Sequence, residues 1–444
     1  MTPRAPAQSA RPPVRSPEPP AAGAAELVSR SLYNLLWYPA LPLGLAIAAG
    51  SRRDRLGALD LPHSPRGAIR IWLHAASVGE IEAVRPIATG LLEEHPGAAF
   101  IVTTMTPAGR EAALRRLPAA VACGLAPLDH PLTVRRFLAA AAPALVLITE
   151  AELWPNYFIE ARRRGARLAL INGRLSQRSL KRYRLMRPLW RAALGCADLV
   201  LVQTTVDADR YLELGAPPQR VVVAGNTKFA SYGADSIPHP ALARFAAQAQ
   251  TLIAGSTAAG EEQQVIEAYE RLTVEFPALR LVLAPRHLER LPELLALLRE
   301  RRLTYARASE LKAGGPSSAD AAILLLDTMG DLRALYRYGT LAFVGGSLFA
   351  GRGGQNLGEP AAAGVAVLFG PYHQNQQEMA QALLERGGGT VVRNGLELAA
   401  AASRLLRDRA ARQQQASGAR EAYESLAGGA ARTLARLRAL IAPP

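Results

Sequence analysis

The chain has 444 residues, 49% of them hydrophobic, too long for one ordinary domain and rich enough to build two substantial cores. Its formal charge of +15 calls for an anionic partner: nucleic acid, anionic lipid or a phosphorylated substrate. Nucleic acid is disfavoured, because the arginines are scattered through Ala- and Leu-rich stretches, aromatics are only 6%, and no basic motif alternates with stacking residues.

Cys123 and Cys196 lie far apart and outside any Cys-x-x-Cys pattern, so neither a disulfide framework nor a zinc site is implied, and reduced cytoplasm fits. No His-Glu-x-x-His occurs and the histidines do not cluster at ligand spacing, so no metal and no cofactor is expected.

The segment 1–30 opens with a Pro-, Ala-, Arg- and Ser-rich run, to about Ala24, that buries too little apolar surface to offset its ordering entropy, and is expected to be disordered. Residues 31–51 (SLYNLLWYPALPLGLAIAAGS) carry no charge and are closed by Arg52, Arg53 and Arg55. As a helix they are long enough to cross a ~30 Å hydrocarbon layer. Pro39, Pro42 and Gly44 weaken that helix, which leaves open a kinked segment dipping into one leaflet. Either way the reading is an N-terminal membrane anchor, and the basic run after it keeps the remainder on the cytoplasmic side.

Between residues 52 and 230 continuous apolar runs alternate with amphipathic stretches: IRIWLHA, AAFIVTT, ALVLIT, ARLALIN, DLVLVQ and RVVVAGN. Such runs describe parallel strands covered on both faces. Residues 230–240 (ASYGADSIPHP) break the rhythm as a linker. The alternation restarts over 241–425 with TLIAGST, LRLVLAPRH, AAILLLD, TLAFVGG and VAVLFG. Two tandem Rossmann-like α/β domains with a cleft between them follow. From about Leu396 the chain reads as long Ala- and Arg-rich helix, its last part, 426–444, a C-terminal helix expected to pack back on the two-domain body.

Ligands of doubly wound sheets bind beyond the carboxyl ends of the strands, so the loops there carry the chemistry. Gly79 turns IWLHAASVGE from strand to helix with Glu80 next, placing a carboxylate at the cleft mouth; a plain helix N-terminal acid is the alternative. After ALVLIT, Glu150 and Glu152 stand at the same end with Trp154 and Pro155 stiffening the loop. Several carboxylates in one cleft suit proton abstraction from a hydroxyl, although capping acids read equally well. Asp207-x-Asp209 offers the pattern of metal-dependent transferases, but it opens a helix where acids favour the N-terminus, so a metal role is discounted.

In the second half, Gly255, Ser256 and Thr257 end a strand before a helix starting at Gly260, Glu261 and Glu262, where free amides are expected to receive a phosphate. Pro285, Arg286 and His287 end the next strand; Gly345, Gly346 and Ser347 end another, ahead of GRGGQNLGEP. Turn chemistry explains each glycine cluster as well. The absence of a Walker motif and of Gly-x-Gly-x-x-G disfavours NTP hydrolysis and dinucleotide redox chemistry.

In order along residues 32–386, the motifs LYNLLWYPALPL, HAASVGE, TTMTPAG, EAELWPN, NGRLSQRS, GNTKF, GST with GEE, PRH, DTMGDL, VGGS, GGQNLGEPA and GPYHQN resemble those of the 3-deoxy-D-manno-octulosonic acid (Kdo) transferases, which add Kdo to the lipid A precursor. The resemblance implies a GT-B fold, with an N-terminal domain for the lipid acceptor and a C-terminal domain for CMP-Kdo. It implies Glu80 as the catalytic base, with Glu150 and Lys228 stabilising the transition state. Donor binding is implied at Ser256, Pro285, Arg286, Met329, Gly330, Asp331, Asn356, Leu357, Gly358 and Glu359. It further implies inverting, metal-independent transfer on the cytoplasmic side of the bacterial inner membrane.

The chain departs from the family pattern at Gln355, where His is usual, and in the residue after Asn356, and its N-terminal extension lies outside the resemblance. The basic stretch 174–191 (RLSQRSLKRYRLMRPLWR) reads as a solvated helix face or as an acceptor contact. In the second reading Arg178, Lys181, Arg182 and Arg184 meet lipid phosphates, at about 1 kcal/mol per cation. The competing functions are another GT-B transferase, a sugar-nucleotide epimerase, or an anchored binding protein without turnover.

Overall fold

Strands that are apolar along their whole length must be covered on both sides, and the chain uses them as the middle layers of two parallel sheets. The computed structural model describes residues 23–47, 51–60, 69–117, 120–231, 237–314 and 321–441. The chain divides into two compact units: one runs to Ser231 and takes in the residues from Gly428 onward, and the other is Tyr232–Ala427.

The first unit holds β1 (Arg70–His74), β2 (Ala99–Thr104), β3 (Ala120–Leu125), β4 (Leu145–Thr149), β5 (Arg167–Gly173), β6 (Leu199–Val202) and β7 (Val221–Val223). Their pairing is parallel throughout, in the order β3-β2-β1-β4-β5-β6-β7. Every residue of β2 and β4 is buried, as double coverage requires. Helix starts are fixed locally: Ser77, Thr106 and Thr204 each accept an amide from the first turn, while Pro107, Pro131 and Pro155 occupy first-turn positions that have no amide to lose.

The second unit repeats the plan with β8 (Thr251–Thr257), β9 (Arg280–Pro285), β10 (Tyr305–Arg307), β11 (Ile323–Leu325), β12 (Leu341–Val344), β13 (Ala366–Phe369) and β14 (Gly389–Val391). The order is β10-β11-β9-β8-β12-β13-β14.

Three expectations change. Residues 1–22 lie outside the described residues, but the helix read from 31 begins at Ala24 and runs to Ile47. One face of it packs on the first unit: Arg30 pairs with Glu160 at 2.5 Å, the Tyr33 hydroxyl donates to Asp129 at 2.8 Å, and Asn156 donates to Asn34 at 2.9 Å. The opposite face leaves Leu27, Val28, Leu32, Leu35 and Leu36 exposed. No helix among the described residues is long and apolar enough to cross a membrane.

The long C-terminal helix is in fact three helices, Gly395–Arg407, Arg409–Ala427 and Gly429–Ile441. Asp408 leaves helical geometry, and its carboxylate accepts the amide of Ala411 at 2.9 Å to start the second helix. The third belongs to the first unit, where Leu437 is fully buried and Arg432 donates to the Ala224 carbonyl at 2.7 Å. Gly429 is required there, because a Cβ would lie 2.6 Å from the Asn226 carbonyl oxygen.

Candidate active site

The ligand gap of a doubly wound sheet opens where successive strands begin to be added on the other side of the first one. In the first sheet this point lies between β1 and β4, and in the second between β8 and β12.

At the first point the loop after β1 enters helix Val78–Glu94 through the Ser77 cap, which puts Glu80 in the first turn. Its carboxylate accepts the Ala76 amide at 2.9 Å, the Ser77 hydroxyl at 3.2 Å and, from the end of β4, the Thr149 hydroxyl at 2.5 Å. Glu80 is 9% exposed, held rigidly yet reachable.

Glu150 follows Thr149 with φ +48°, a left-handed conformation that non-glycine residues hold only when their surroundings impose it. Its amide donates to Ile171 at 3.0 Å and its carbonyl accepts the Tyr211 hydroxyl at 2.8 Å. Burial, and next the charge of Glu80, push the Glu150 carboxyl up to about 7, against the opposing pull of Arg174 and Lys228. It is therefore close to half-protonated at neutral pH, the condition for moving or sharing a proton.

Asn172 ties this group together. At φ +52° after the middle of β5, its side-chain amide donates to Glu150 at 3.4 Å and its oxygen accepts the Thr227 amide at 3.0 Å, one residue before Lys228. Glu152 is turned to a different use: its carboxylate accepts the Trp154 indole at 2.7 Å and lies 3.4 Å from His74 Nε2. Burial opposes ionisation of Glu152, but the His74 and Trp154 bonds hold it below the usual range.

At the second point a buried carboxylate organises the loops. Glu261, fully buried at the start of helix Glu261–Glu275, accepts the amides of Ala258 at 2.8 Å, Gly346 at 2.6 Å, Ser347 at 2.8 Å and Leu348 at 2.8 Å. The amides expected to await a phosphate are thus filled by the protein's own anion. The packing needs glycine at 345, where a Cβ would lie 2.6 Å from Thr257 Cα and 2.7 Å from the Glu261 carboxylate.

Ser256 takes φ +53° at the end of β8, and the exposed Arg286 is anchored through its amide to the Thr257 carbonyl at 2.8 Å. Burial raises the Glu359 carboxyl, while the charge of Arg333, a hydrogen bond from Asn356 and the charge of Arg286 act against that rise. Asn356 in turn accepts the Gly358 amide at 2.9 Å. Leu357 is buried in the core, so only its backbone is available to a ligand.

A family model for 3-deoxy-D-manno-octulosonic-acid transferases (Kdo transferases) matches residues 50–231. A 3-deoxy-D-manno-octulosonic acid transferase of Bordetella pertussis is 35% identical over 373 residues, 82% of this chain and 86% of that one. Another, of Chlamydia pneumoniae, is 30% identical over 364 residues, 81% and 80% of the two chains. The chain belongs to the 3-deoxy-D-manno-octulosonic acid transferase family. It is a glycosyltransferase, as those relatives are. The UDP-GlcNAc 2-epimerase of Neisseria meningitidis, at 13% identity and a TM-score of 0.53 over 83% of this chain and 99% of that one, shares the fold.

Against this Kdo-transferase background, Glu150 stands beside Glu80 and feels Lys228, while Arg286, Asn356 and Glu359 gather at the second edge. The loop after β11 is less tightly drawn in. Met329 is 72% exposed, Gly330 takes φ +95°, and Asp331 is held by Lys312 at 3.0 Å and by the Thr328 hydroxyl. The Gln355 side chain packs on Gly346, whose added Cβ would meet it at 3.0 Å, which is a structural use of the position.

Asp207 is a structural residue: buried, it accepts the Leu175 amide at 2.9 Å and the Thr204 hydroxyl at 2.6 Å, while Asp209 is exposed. Arg178, Lys181 and Arg182 are exposed on helix Gln177–Arg184, and Arg184 pairs with Glu213. Thr149, Asn172 and Tyr211 escaped the sequence reading. Glu261 was legible only as an acid at a helix start, a pattern that reads as ordinary dipole complementarity and not as the anion that fills the loop amides.

Proposed function

We propose that this chain transfers Kdo from CMP-Kdo to a lipid A precursor in lipopolysaccharide core assembly, with inversion, without a metal, and with Glu80 as general base. The observation that carries the reading is the Glu80 carboxylate itself, fixed by Thr149 and the Ala76 amide at the switch point of its sheet beside Glu150. In a GT-B arrangement, Glu80 takes the proton of the acceptor hydroxyl as that oxygen bonds to the anomeric carbon. The bond from that carbon to the CMP phosphate oxygen breaks through an oxocarbenium-like transition state. Lys228 and a protonated Glu150 stabilise the negative charge that builds on the departing phosphate, and one displacement inverts the centre. Arg286 faces the departing phosphate, and Glu359, with Asn356, accepts hydrogen bonds from the ribose diol. Pro285, Met329–Asp331 and Leu357–Gly358 complete the donor contacts through their backbones.

The transfer takes place at the cytoplasmic face of the inner membrane. Helix Ala24–Ile47, whose residues 27–36 set Arg30, Tyr33 and Asn34 toward the protein and leave Leu27, Val28, Leu32, Leu35 and Leu36 exposed, suits a helix lying in the interface better than one spanning it. Arg178, Lys181 and Arg182 supply exposed positive charge for lipid phosphates.

The test is incubation of the purified full chain with CMP-Kdo and tetraacylated lipid A precursor, followed by mass analysis of the lipid. A lipid heavier by Kdo is expected, and its absence together with epimerisation of UDP-GlcNAc assigns the chain to the epimerase alternative.

A further inference from the structure

Arg333, on the short helix Asp331–Leu335 that follows β11, presents an unsolved charge. Its Nε and Nη2 atoms are buried without a hydrogen-bond partner. A guanidinium stays protonated at any physiological pH, so desolvating it unpaired is costly, and folded proteins seldom leave such a group without a use.

The neighbouring carboxylates are already engaged. Asp331 is taken by Lys312 and Thr328, and Asp327 by Arg307 at 2.8 Å. Glu359 feels the charge of Arg333 more than any other opposing influence, yet no ion pair joins the two among the described residues.

The position of the group is set by its flanking residues. Gly255, at the end of β8, has no room for a side chain: a Cβ there would lie 2.0 Å from the Tyr336 hydroxyl and 3.2 Å from Leu332 Cδ2. Leu332 and Tyr336 bracket Arg333 in sequence, so the segment that carries it is pressed against the β8 side of the switch point. The amides on the other side, at Gly346 to Leu348, are closed to an incoming anion because Glu261 fills them. A positive group is left at this edge that feels Glu359 but, among the described residues, has no hydrogen-bond partner for its Nε and Nη2 atoms.

We infer that Arg333 is a donor-binding residue whose guanidinium takes an anionic group of the nucleotide sugar. The inference rests on the proposed CMP-Kdo donor, which carries two candidates, the phosphate of CMP and the carboxylate of the octulosonic acid. Both suit a guanidinium, which pairs with planar or tetrahedral oxyanions through two N–H bonds.

The experiment compares the wild-type full chain with Arg333→Met and Arg333→Lys, measuring KM for CMP-Kdo, the Kd of CMP, and the thermal midpoint without ligand. Removal of a charged hydrogen bond to substrate raises KM by roughly tenfold to a hundredfold. Arg333→Met is expected to show that rise with an unliganded midpoint at or above wild type, because two buried nitrogens without hydrogen-bond partners have been removed; Arg333→Lys falls between. A parallel rise in the Kd of CMP assigns the contact to the phosphate, and an unchanged Kd assigns it to the carboxylate. Unchanged KM and Kd in either variant overturn the inference, as does a lowered midpoint in Arg333→Met with kinetics intact in Arg333→Lys. If the wild type itself neither binds CMP nor uses CMP-Kdo, the proposed function fails first.

Discussion

Replacing Glu150 by Gln isolates the cost of holding a carboxyl beside Glu80. The amide is nearly isosteric, and its oxygen still accepts from Asn172. In the folded chain the Glu150 carboxyl is raised from its ordinary 4.5 to about 7, by burial first and by Glu80 second. Between those two values the folded state keeps a proton that the unfolded chain has released, so stability falls as pH rises through the window. Below it both states are protonated and nothing is lost; above it the loss is complete. At about 1.4 kcal/mol per pH unit the full loss is about 3 kcal/mol. Glu150→Gln has no such group, so its stability relative to wild type should grow by about 3 kcal/mol between pH 4.5 and pH 8. All four tryptophans, at 37, 72, 154 and 190, lie in the first unit, so urea unfolding followed by tryptophan fluorescence reports that unit alone. A difference that stays flat across the window, or grows toward acid, refutes the reasoning.

Glu80→Gln should lower kcat by about a hundredfold or more while the KM for CMP-Kdo moves little, because the donor residues lie in the other unit; steady-state kinetics check this. Asn172→Ala strands the Thr227 amide and puts alanine at φ +52°, and should cost about 1–3 kcal/mol in unfolding experiments. Asn172→Asp keeps the acceptor for Thr227 but sets a further carboxylate beside Glu150, so the pH profile of kcat should move upward. Asp207→Ala should destabilise by about 1–3 kcal/mol through the lost Leu175 and Thr204 bonds. A chelator should leave the transfer rate of the wild type unchanged, whereas a fall in rate restored by added Mn²⁺ would overturn the metal-free mechanism.

The local code carries a long way in this chain. Runs such as LVLIT and AFIVTT are legible as doubly covered strands because each residue is apolar whichever face it meets. The break at 230–240 and the restart after it give two sheets, and the Gly79 turn places Glu80 beyond a strand end. What such patterns cannot state is which strands become neighbours. The order β2-β1-β4 brings Thr149 to Glu80 across 69 residues, and that pairing sets a helix-start acid beside a strand-end acid whose carboxyl is raised to near neutrality. Asn172 is an ordinary strand-end polar residue until β5 lies beside β4 and the Thr227 loop arrives from further along the chain. The same holds for Glu261, whose four amides come from two separate loops, and for the final helix, which breaks at Gly428 and joins the first unit through Leu437 and Arg432. Periodicity fixes faces, because it acts over a few residues; proximity between distant loops is decided only when long-range pairing and burial select a single strand order.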